Sequence, residues 1–266
     1  MNRERRAVLR WMAAAVGAVG SGAVVGSGAA ERGESDAPGA NDAARSRRNA
    51  DRIEREALQQ VNTELPPGVT LFDLNGDGSY TATVESGTDV QDGSHPNPIH
   101  VTSSGNSTVD YAASIVAPSG EPTLGSLGEL RYDYYEGPNN VNSDDPSGGL
   151  APDETFLVVE NDDGRHGMYL TSDDGSDPPS ESWRTFDVAA RLAGGNWFEY
   201  TDLESGYDGR NFSDAVARFG AEARLVRVGV GHGDAVNPAT LDVYYDNLVV
   251  DGETLRLPTS VAKRVS

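Results

Sequence analysis

An acidic turn near the start of the folded region could bind a metal ion. The segment Asp73-Leu-Asn75-Gly-Asp77-Gly places side-chain oxygens at alternate positions and glycines where the chain must turn. This matches the first half of the EF-hand calcium loop, in which carboxylate and amide oxygens bind the ion. The twelfth position of that loop, however, is Val84, and the acid Glu85 comes one residue late. Two interpretations therefore stay open: a calcium site that includes Asp73, Asn75 and Asp77, or a tight acidic β-turn.

Aromatic residues form the second set that could carry chemistry. Trp and Tyr rings on a sheet face commonly hold sugars by stacking, while polar neighbours orient the ligand. For each ring taken singly a place in the core is the more common outcome, because the chain has only six phenylalanines. The aromatic residues in or beside predicted strands are Tyr132, Tyr134, Tyr135, Trp183, Trp197, Tyr200, Tyr244 and Tyr245. From these we predict a ligand-binding surface formed by Tyr135, Trp197, Tyr200 and Tyr245.

Catalytic patterns are sparse. The four histidines, His95, His100, His166 and His232, show no spacing typical of metal-binding helices. A sandwich glycoside hydrolase needs two carboxylates on one strand, and the sequence has no motif that provides them. Arg131, His166 and Tyr169 could form the set of a lyase, but nothing in their spacing requires it. We therefore predict no catalytic residues and expect a protein that is not an enzyme, with the question left open.

Alternating apolar residues predict an all-β fold. Val226, Val228 and Val230 alternate with Arg227 and glycines, which places the valines in a core. In the next strand Tyr244, Asp246, Leu248 and Val250 share one face, and Asp251-Gly252 favours a hairpin turn. The predicted strands are 69–74, 80–85, 99–102, 109–117, 129–136, 155–161, 168–171, 183–188, 225–231, 242–250 and 254–257, with one helix at 213–219.

The C-terminal stretch LVRVGVGHG…LDVYYDNLVVDGETLRLP resembles the last strands of secreted jelly-roll modules of halophilic archaea, of the concanavalin-like and carbohydrate-binding type. The likeness covers roughly residues 128–257. It implies an antiparallel jelly-roll β-sandwich, a polysaccharide partner and a structural calcium ion. It also implies that Asp246, an acid on the last strand, joins the Asp73 region at that ion.

The N-terminal segment has the pattern of an export signal. Four arginines precede an apolar run that begins at Trp11, and small residues end it near residue 30. The adjacent Arg5-Arg6 resembles a twin-arginine signal. We therefore predict an exported protein located outside the cell or on its surface. An uncleaved membrane anchor is the less favoured alternative, because the run is short for a spanning helix.

Four segments follow from these patterns. Residues 1–30 are the export signal and residues 31–68 a flexible linker, in which Ile53, Ala57, Leu58 and Val61 form one short helical stripe. Residues 69–258 form the β-sandwich, and residues 259–266 are a C-terminal tail.

The composition indicates a protein adapted to concentrated salt. The chain has 42 acids and 21 bases, Lys263 is its single lysine, and it has no cysteine. Without residues 1–30 the net charge is −24. Salt screens such self-repulsion, so we expect a halophilic source, although an acidic mesophilic protein is an alternative. This charge argues against nucleic acid or an anionic membrane surface as a partner.

Together these patterns predict an exported, non-catalytic binding module for extracellular or cell-surface polysaccharide, with structural calcium. A polysaccharide lyase or glycoside hydrolase is one alternative. A structural or adhesion protein of the cell surface is another.

Overall fold

A computed structural model describes residues 65–73, 76–103, 110–120, 122–142, 154–171, 181–190, 198–201, 212–233 and 239–265. The predicted export signal and nearly all of the predicted linker lie outside these ranges. Within the ranges, no helix is long and apolar enough to cross a membrane.

The described chain is built mainly of β-strands. In chain order they are β1 (Gly68–Asp73), β2 (Ala82–Ser86), β3 (Ile99–Ser103), β4 (Asp110–Val116), β5 (Leu130–Glu136), β6 (Val141–Asn142), β7 (Glu154–Asn161), β8 (Gly164–Thr171), β9 (Trp183–Asp187), β10 (Phe198–Thr201), β11 (Arg224–Gly233), β12 (Ala239–Thr240), β13 (Asp242–Val250), β14 (Glu253–Leu255) and β15 (Val261–Val265). A 3₁₀ turn covers Thr88–Val90, and helix α1 covers Phe212–Phe219.

Two sheets pack face to face as a sandwich. Sheet A has the strand order β10-β8-β7-β11-β4-β1-β15, and sheet B has the order β2-β3-β13-β5-β9 with β14 paired to β13. The short strands β6 and β12 pair with each other. The chain passes repeatedly from one sheet to the other, as in jelly-roll folds, because β1 and β4 belong to sheet A whereas β2, β3 and β5 belong to sheet B. This confirms the predicted fold class.

The main core lies between the two sheets. Val228 and Val230 of sheet A and Val243 and Tyr245 of sheet B are completely buried there. The alternation that predicted a core position for Val228 and Val230 was therefore correct.

Two β-bulges change which residues face the core. A register shift between Leu225 and Arg227 turns Val226 away from the main core and onto the opposite face of sheet A. A second shift follows Asp246, where Asn247 adopts a positive φ of 50°. As a result Leu248 faces the core, and it does not share a face with Asp246 as the simple alternation predicted.

The C-terminal segment is part of the fold. The sequence predicts a tail at residues 259–266, whereas in the structure residues 261–265 form strand β15 at the edge of sheet A. It pairs in parallel with β1, with Val265 beside Phe72. The pattern of β15 is hard to read in the sequence because Lys263 and Arg264 interrupt its apolar residues.

A second hydrophobic cluster lies on the outer face of sheet A. We call it the outer cluster; it consists of Leu65, Phe72, Tyr111, Ala113, Ile115, Phe156, Val158 and Val265, all buried. The rings of Phe72, Tyr111 and Phe156 have centroids 5.8 to 6.2 Å apart. Tyr111 lies against Gly231 and Gly233, where a Cβ would come within 3 Å of its ring. The chain enters this cluster at Leu65, whose carbonyl oxygen accepts a hydrogen bond of 3.1 Å from Arg227 Nε.

Candidate binding face on sheet B

One cross-strand row of side chains spans the outer face of sheet B. Glu85, His100, Tyr244, Tyr135 and Trp183 are direct partners on the neighbouring strands β2, β3, β13, β5 and β9. Residues in register on adjacent strands point to the same face, and their Cβ atoms lie close enough for side-chain contact. The pairing of distant strands thus gathers four rings and one carboxylate into a single row, which we call the aromatic row.

The rings of the row contact one another in sequence. His100 stacks on Tyr244 with ring centroids 4.0 Å apart, and Tyr244 meets Tyr135 edge to face at 5.7 Å and 87°. Tyr135 in turn meets Trp183 edge to face at 5.8 Å. Tyr244 is buried, whereas Tyr135 and Trp183 are half-buried and keep part of each ring exposed to solvent.

A loop residue, His95, supports the Trp183 end of the row. Its ring stacks on Trp183 with centroids 3.9 Å apart and an interplanar angle of 8°. Its Nδ1 lies 2.9 Å from Asp92 Oδ1, and its Nε2 lies 3.4 Å from Asp133 Oδ2. Trp183 Nε1 donates to the carbonyl oxygen of Val90. The stacking on His95 and the hydrogen bond to Val90 therefore fix the position of the Trp183 indole.

The other end of the row opens into a cleft of about 490 Å³. Its lining includes the rings of His100, Tyr135 and Tyr244, together with Pro138 and Asp242. Asp242 Oδ1 is 3.0 Å from His100 Nε2. The cleft thus combines aromatic surface with a carboxylate, an imidazole and backbone groups, which are the polar elements that orient a small polar ligand.

The surroundings of the two tyrosines disfavour their ionised forms. Burial raises the pKa of Tyr244 to about 12, and the carboxylates of Asp242, Asp89 and Glu85 add to that rise. Burial also raises the pKa of Tyr135, with smaller contributions from Glu181 and Asp242. Both hydroxyl groups therefore remain protonated, as hydrogen-bond donors, at neutral pH.

The four predicted ligand-binding aromatics do not form one surface. Tyr135 lies in the aromatic row, as a surface residue. Tyr245 is completely buried in the main core, where its hydroxyl donates to the carbonyl oxygen of Gly231, so its ring cannot meet a ligand at the surface. Tyr200 belongs to β10 in sheet A, and Trp197 lies outside the described residues.

The predicted ligand-binding residues do not include His100, Trp183 or Tyr244. Trp183 and Tyr244 belong to the aromatic residues in or beside predicted strands, but strand alternation gives only the face of each strand. Nothing local shows that positions 100, 135, 183 and 244 come into register. The available signal was the period of two that puts Tyr135 on the face opposite Tyr132 and Tyr134, and this assignment agrees with the structure.

The acidic turn is held by its own backbone. Asp73 Oδ1 accepts hydrogen bonds from the amides of Gly76 (2.7 Å) and Asp77 (3.1 Å), and Asp73 Oδ2 accepts one from Gly78 (2.8 Å). These bonds are typical of a tight acidic turn. Asn75 lies outside the described residues, and within them no group of three or more His, Asp or Glu is placed to hold a metal ion.

Asp110 lies beside this turn, directly opposite Asp73 on the neighbouring strand. Its Oδ2 accepts two hydrogen bonds from Thr81, whereas its Oδ1 is buried without a hydrogen-bond partner. Burial raises the pKa of Asp110, and the charges of Asp73 and Asp77 raise it further. The site therefore disfavours a third bare negative charge.

The predicted partner Asp246 is not part of this turn. It lies on sheet B, where its Oδ2 accepts from the amide of Asn97 and its Oδ1 from the amide of Asn247. Asp73 lies on β1 of sheet A. The described structure therefore accounts for Asp246 as a residue that holds a loop and a bulge beside the aromatic row.

The residues considered for a lyase also separate. Arg131 is on sheet B and pairs with Glu129 at 2.9 Å. His166 is on β8 of sheet A, where it stacks on Phe219 and contacts Asn161 Oδ1. Arg131 and His166 thus do not share one sheet face. Tyr169 also belongs to β8.

Comparisons with known proteins find no match in sequence and a distant likeness in structure. No family model matches the sequence, and no curated protein matches it. Among solved structures, the chain is similar to a carbohydrate-binding module, CBM28, described as specific for non-crystalline cellulose. The identity is 12%, the match covers 66% of this chain and 84% of that chain, and the TM-score is 0.25. This likeness is distant, and the fold assignment rests on the strand pairing described above.

Proposed function

We propose that this protein is an exported, non-catalytic carbohydrate-binding module whose binding face is the outer face of sheet B. The observation that carries the proposal is the aromatic row, which presents the half-buried rings of Tyr135 and Trp183 beside a polar cleft. Sugar rings expose C–H groups that pack on aromatic faces, and neighbouring polar groups bind the hydroxyls.

The row has the rigidity that a polysaccharide-binding surface requires. Each ring is fixed by at least one ring neighbour, and His95 and Trp183 are also tied to Asp133 and to the Val90 carbonyl. A preformed site loses less side-chain entropy on binding than a flexible one. A polymer lying along the row would cross several strands and contact more than one ring.

The proposal can be tested with two substitutions at one position. We expect Tyr135→Ala to weaken binding to a retained polysaccharide by at least about tenfold, because one stacking ring is lost. Tyr135→Phe keeps the ring and should retain most of the affinity, which makes it the matched control. Isothermal titration calorimetry in concentrated salt would measure both. Unchanged affinity in Tyr135→Ala, with binding intact, would place the site elsewhere.

A structural calcium ion at the turn after β1 is a second part of the proposal. It is supported by the buried, unpartnered Oδ1 of Asp110 next to Asp73 and Asp77. Carboxylate oxygens are the ligands that Ca²⁺ prefers, and an ion there would offset their mutual repulsion.

The catalytic alternative also has an observation in its favour. His100 lies 3.0 Å from Asp242 and beside the hydroxyl-bearing rings of Tyr135 and Tyr244, so the cleft holds groups that can move protons. The assay is release of reducing ends or unsaturated products from each polysaccharide that the protein binds. Turnover that His100→Ala abolishes would replace the binding-module proposal with an enzymatic one.

A further inference from the structure

The acidic side chains beside the cleft are Asp242 and Glu85, and both lie close to His100. Asp242 lines the cleft, and Glu85 Oε1 lies 3.5 Å from His100 Nδ1 on the side opposite Asp242. Neither lysine nor arginine is among the described residues that line the cleft. A ligand that enters it therefore meets carboxylates without a fixed cation.

The pKa values of the two tyrosines also reflect nearby acidic groups. Burial is the main cause of the raised pKa of both tyrosines, and nearby acidic groups add to it: Asp242, Asp89, Tyr135 and Glu85 for Tyr244, and Glu181 and Asp242 for Tyr135. A negative group on a ligand would meet the same repulsion. Because the cleft is partly desolvated, this repulsion persists at short range even in salt that screens charges on the open surface.

The acids of the cleft differ from the two glutamates that pair with arginine. Glu160 lies 2.8 Å from both Arg165 and Arg224, and Glu129 pairs with Arg131. The side-chain contacts of Asp242 and Glu85 in the described structure, by contrast, are with His100 and with the backbone and side-chain amides of Asn139. The two cleft carboxylates thus have no arginine partner in the described structure.

Tyr135 offers an aromatic surface to a positive group. Its ring is half-buried, and it lines the cleft together with the carboxylate of Asp242. Aromatic faces attract ammonium groups electrostatically, and an aromatic ring beside an acid is suited to a cationic ligand. We propose that the cleft binds the free ammonium group of an amino sugar, so that the domain prefers glucosamine polymers to neutral and uronic-acid polymers.

This proposal rests on the proposed function and is tested with four β-1,4-linked hexamers that share one backbone. They are the hexamers of glucosamine, N-acetylglucosamine, glucose and glucuronic acid, which differ only at C2 or C6. Calorimetry at a pH where the amino group of glucosamine is charged gives each affinity. We expect the glucosamine hexamer to bind at least about tenfold more tightly than the glucose hexamer, and the glucuronic acid hexamer to bind most weakly.

Two charge-matched variants separate a local effect from the overall acidity of the protein. Glu85→Gln removes a carboxylate next to the cleft, and Glu222→Gln removes an exposed one in the turn between α1 and β11. We expect only Glu85→Gln to reduce the preference for glucosamine over glucose, by about threefold or more, which would correspond to the loss of a partly exposed charge pair.

The outcomes are distinguishable. If the glucose hexamer binds as tightly as the glucosamine hexamer, the amino-sugar proposal is overturned and the binding module stands. If both variants reduce the preference equally, the effect is one of net charge and the proposal also fails. If no hexamer binds while the protein remains folded, the proposed function falls together with this inference.

Discussion

Asp110 is a buried residue with one carboxylate oxygen that accepts no hydrogen bond. Two hydrogen bonds from Thr81 occupy Oδ2, while Oδ1 is buried without a partner and faces a region that already holds Asp73 and Asp77. An unpaired buried oxygen costs roughly 1–3 kcal/mol, and a charge on it costs more. This residue is therefore the sharpest test of whether the turn binds a cation.

We expect Asp110→Asn to raise the free energy of unfolding by about 1 kcal/mol in calcium-free buffer at neutral pH. The amide oxygen can still accept from Thr81, and the new NH₂ group replaces a charged oxygen that has no donor. Calorimetric melting with and without CaCl₂ is the measurement. If calcium binds at the turn, it should raise the Tm of the natural protein and have little effect on the variant. A lower Tm for Asp110→Asn in both buffers would show that this explanation is wrong.

The raised pKa of Tyr244 predicts that the protein loses stability at alkaline pH. Burial and nearby acids raise its pKa in the folded state to about 12, above the value near 10 expected for the unfolded chain. A raised pKa contributes stability that is complete below about pH 10 and is lost as the pH rises toward 12. The Tm should thus fall across that interval, and Tyr244→Phe should fall less steeply. Equal slopes for the two proteins would contradict the assignment.

At the scale of the strand, local alternation predicted the sandwich but not its irregularities. The predicted strands at 242–250 and 225–231 lie where β13 and β11 are found, and helix 213–219 matches α1. The bulges at Val226 and Asn247 depend on partner strands distant in sequence, and they change the inward face partway along each strand. A period of two applied across a bulge therefore assigns the residues on one side of the bulge to the wrong face.

The candidate site was predictable only in part for the same reason. Tyr135 could be assigned to a face, because that needs only its own strand. The contact between His100 and Asp242 joins residues 142 positions apart, and it depends on the pairing of β3 with β13. No motif in either segment signals that pairing, so the aromatic row could not be assembled from the sequence.

Strand β15 gives a prediction at this scale. Ending the chain after Pro258 removes the parallel partner of β1, leaves the edge of that strand unpaired and uncovers Phe72 beside Val265. We expect the free energy of unfolding to fall by about 3 kcal/mol or more, since several ladder hydrogen bonds and one buried valine are lost. Urea unfolding of this truncation and of a chain ending at Val265, the control, is the measurement. Equal stability of the two would show that residues 259–266 act as the tail first expected.

At the scale of the whole molecule, the two outer faces of the sandwich have opposite character. The outer face of sheet A carries the apolar outer cluster, and the outer face of sheet B carries the aromatic row with its carboxylates. The excess of acids over bases, 42 to 21, adds a general repulsion that the fold must overcome.

This repulsion predicts a dependence of stability on salt. We expect the Tm to rise steeply as NaCl is increased from low to molar concentration, because the Debye length falls to about 3 Å at 1 M. Replacing NaCl with an uncharged osmolyte of equal osmolality controls for effects of water activity. A Tm that is as high at low salt as at high salt would contradict the halophilic interpretation.

The bond from Arg227 to the carbonyl of Leu65 also places the entry of the chain on one face of the sandwich. That point lies in the outer cluster, on the far side of the sandwich from Tyr135 and Trp183. A segment that joins the domain at Leu65 therefore reaches it on the face opposite the aromatic row. A tether upstream of Leu65 would thus leave the aromatic row uncovered.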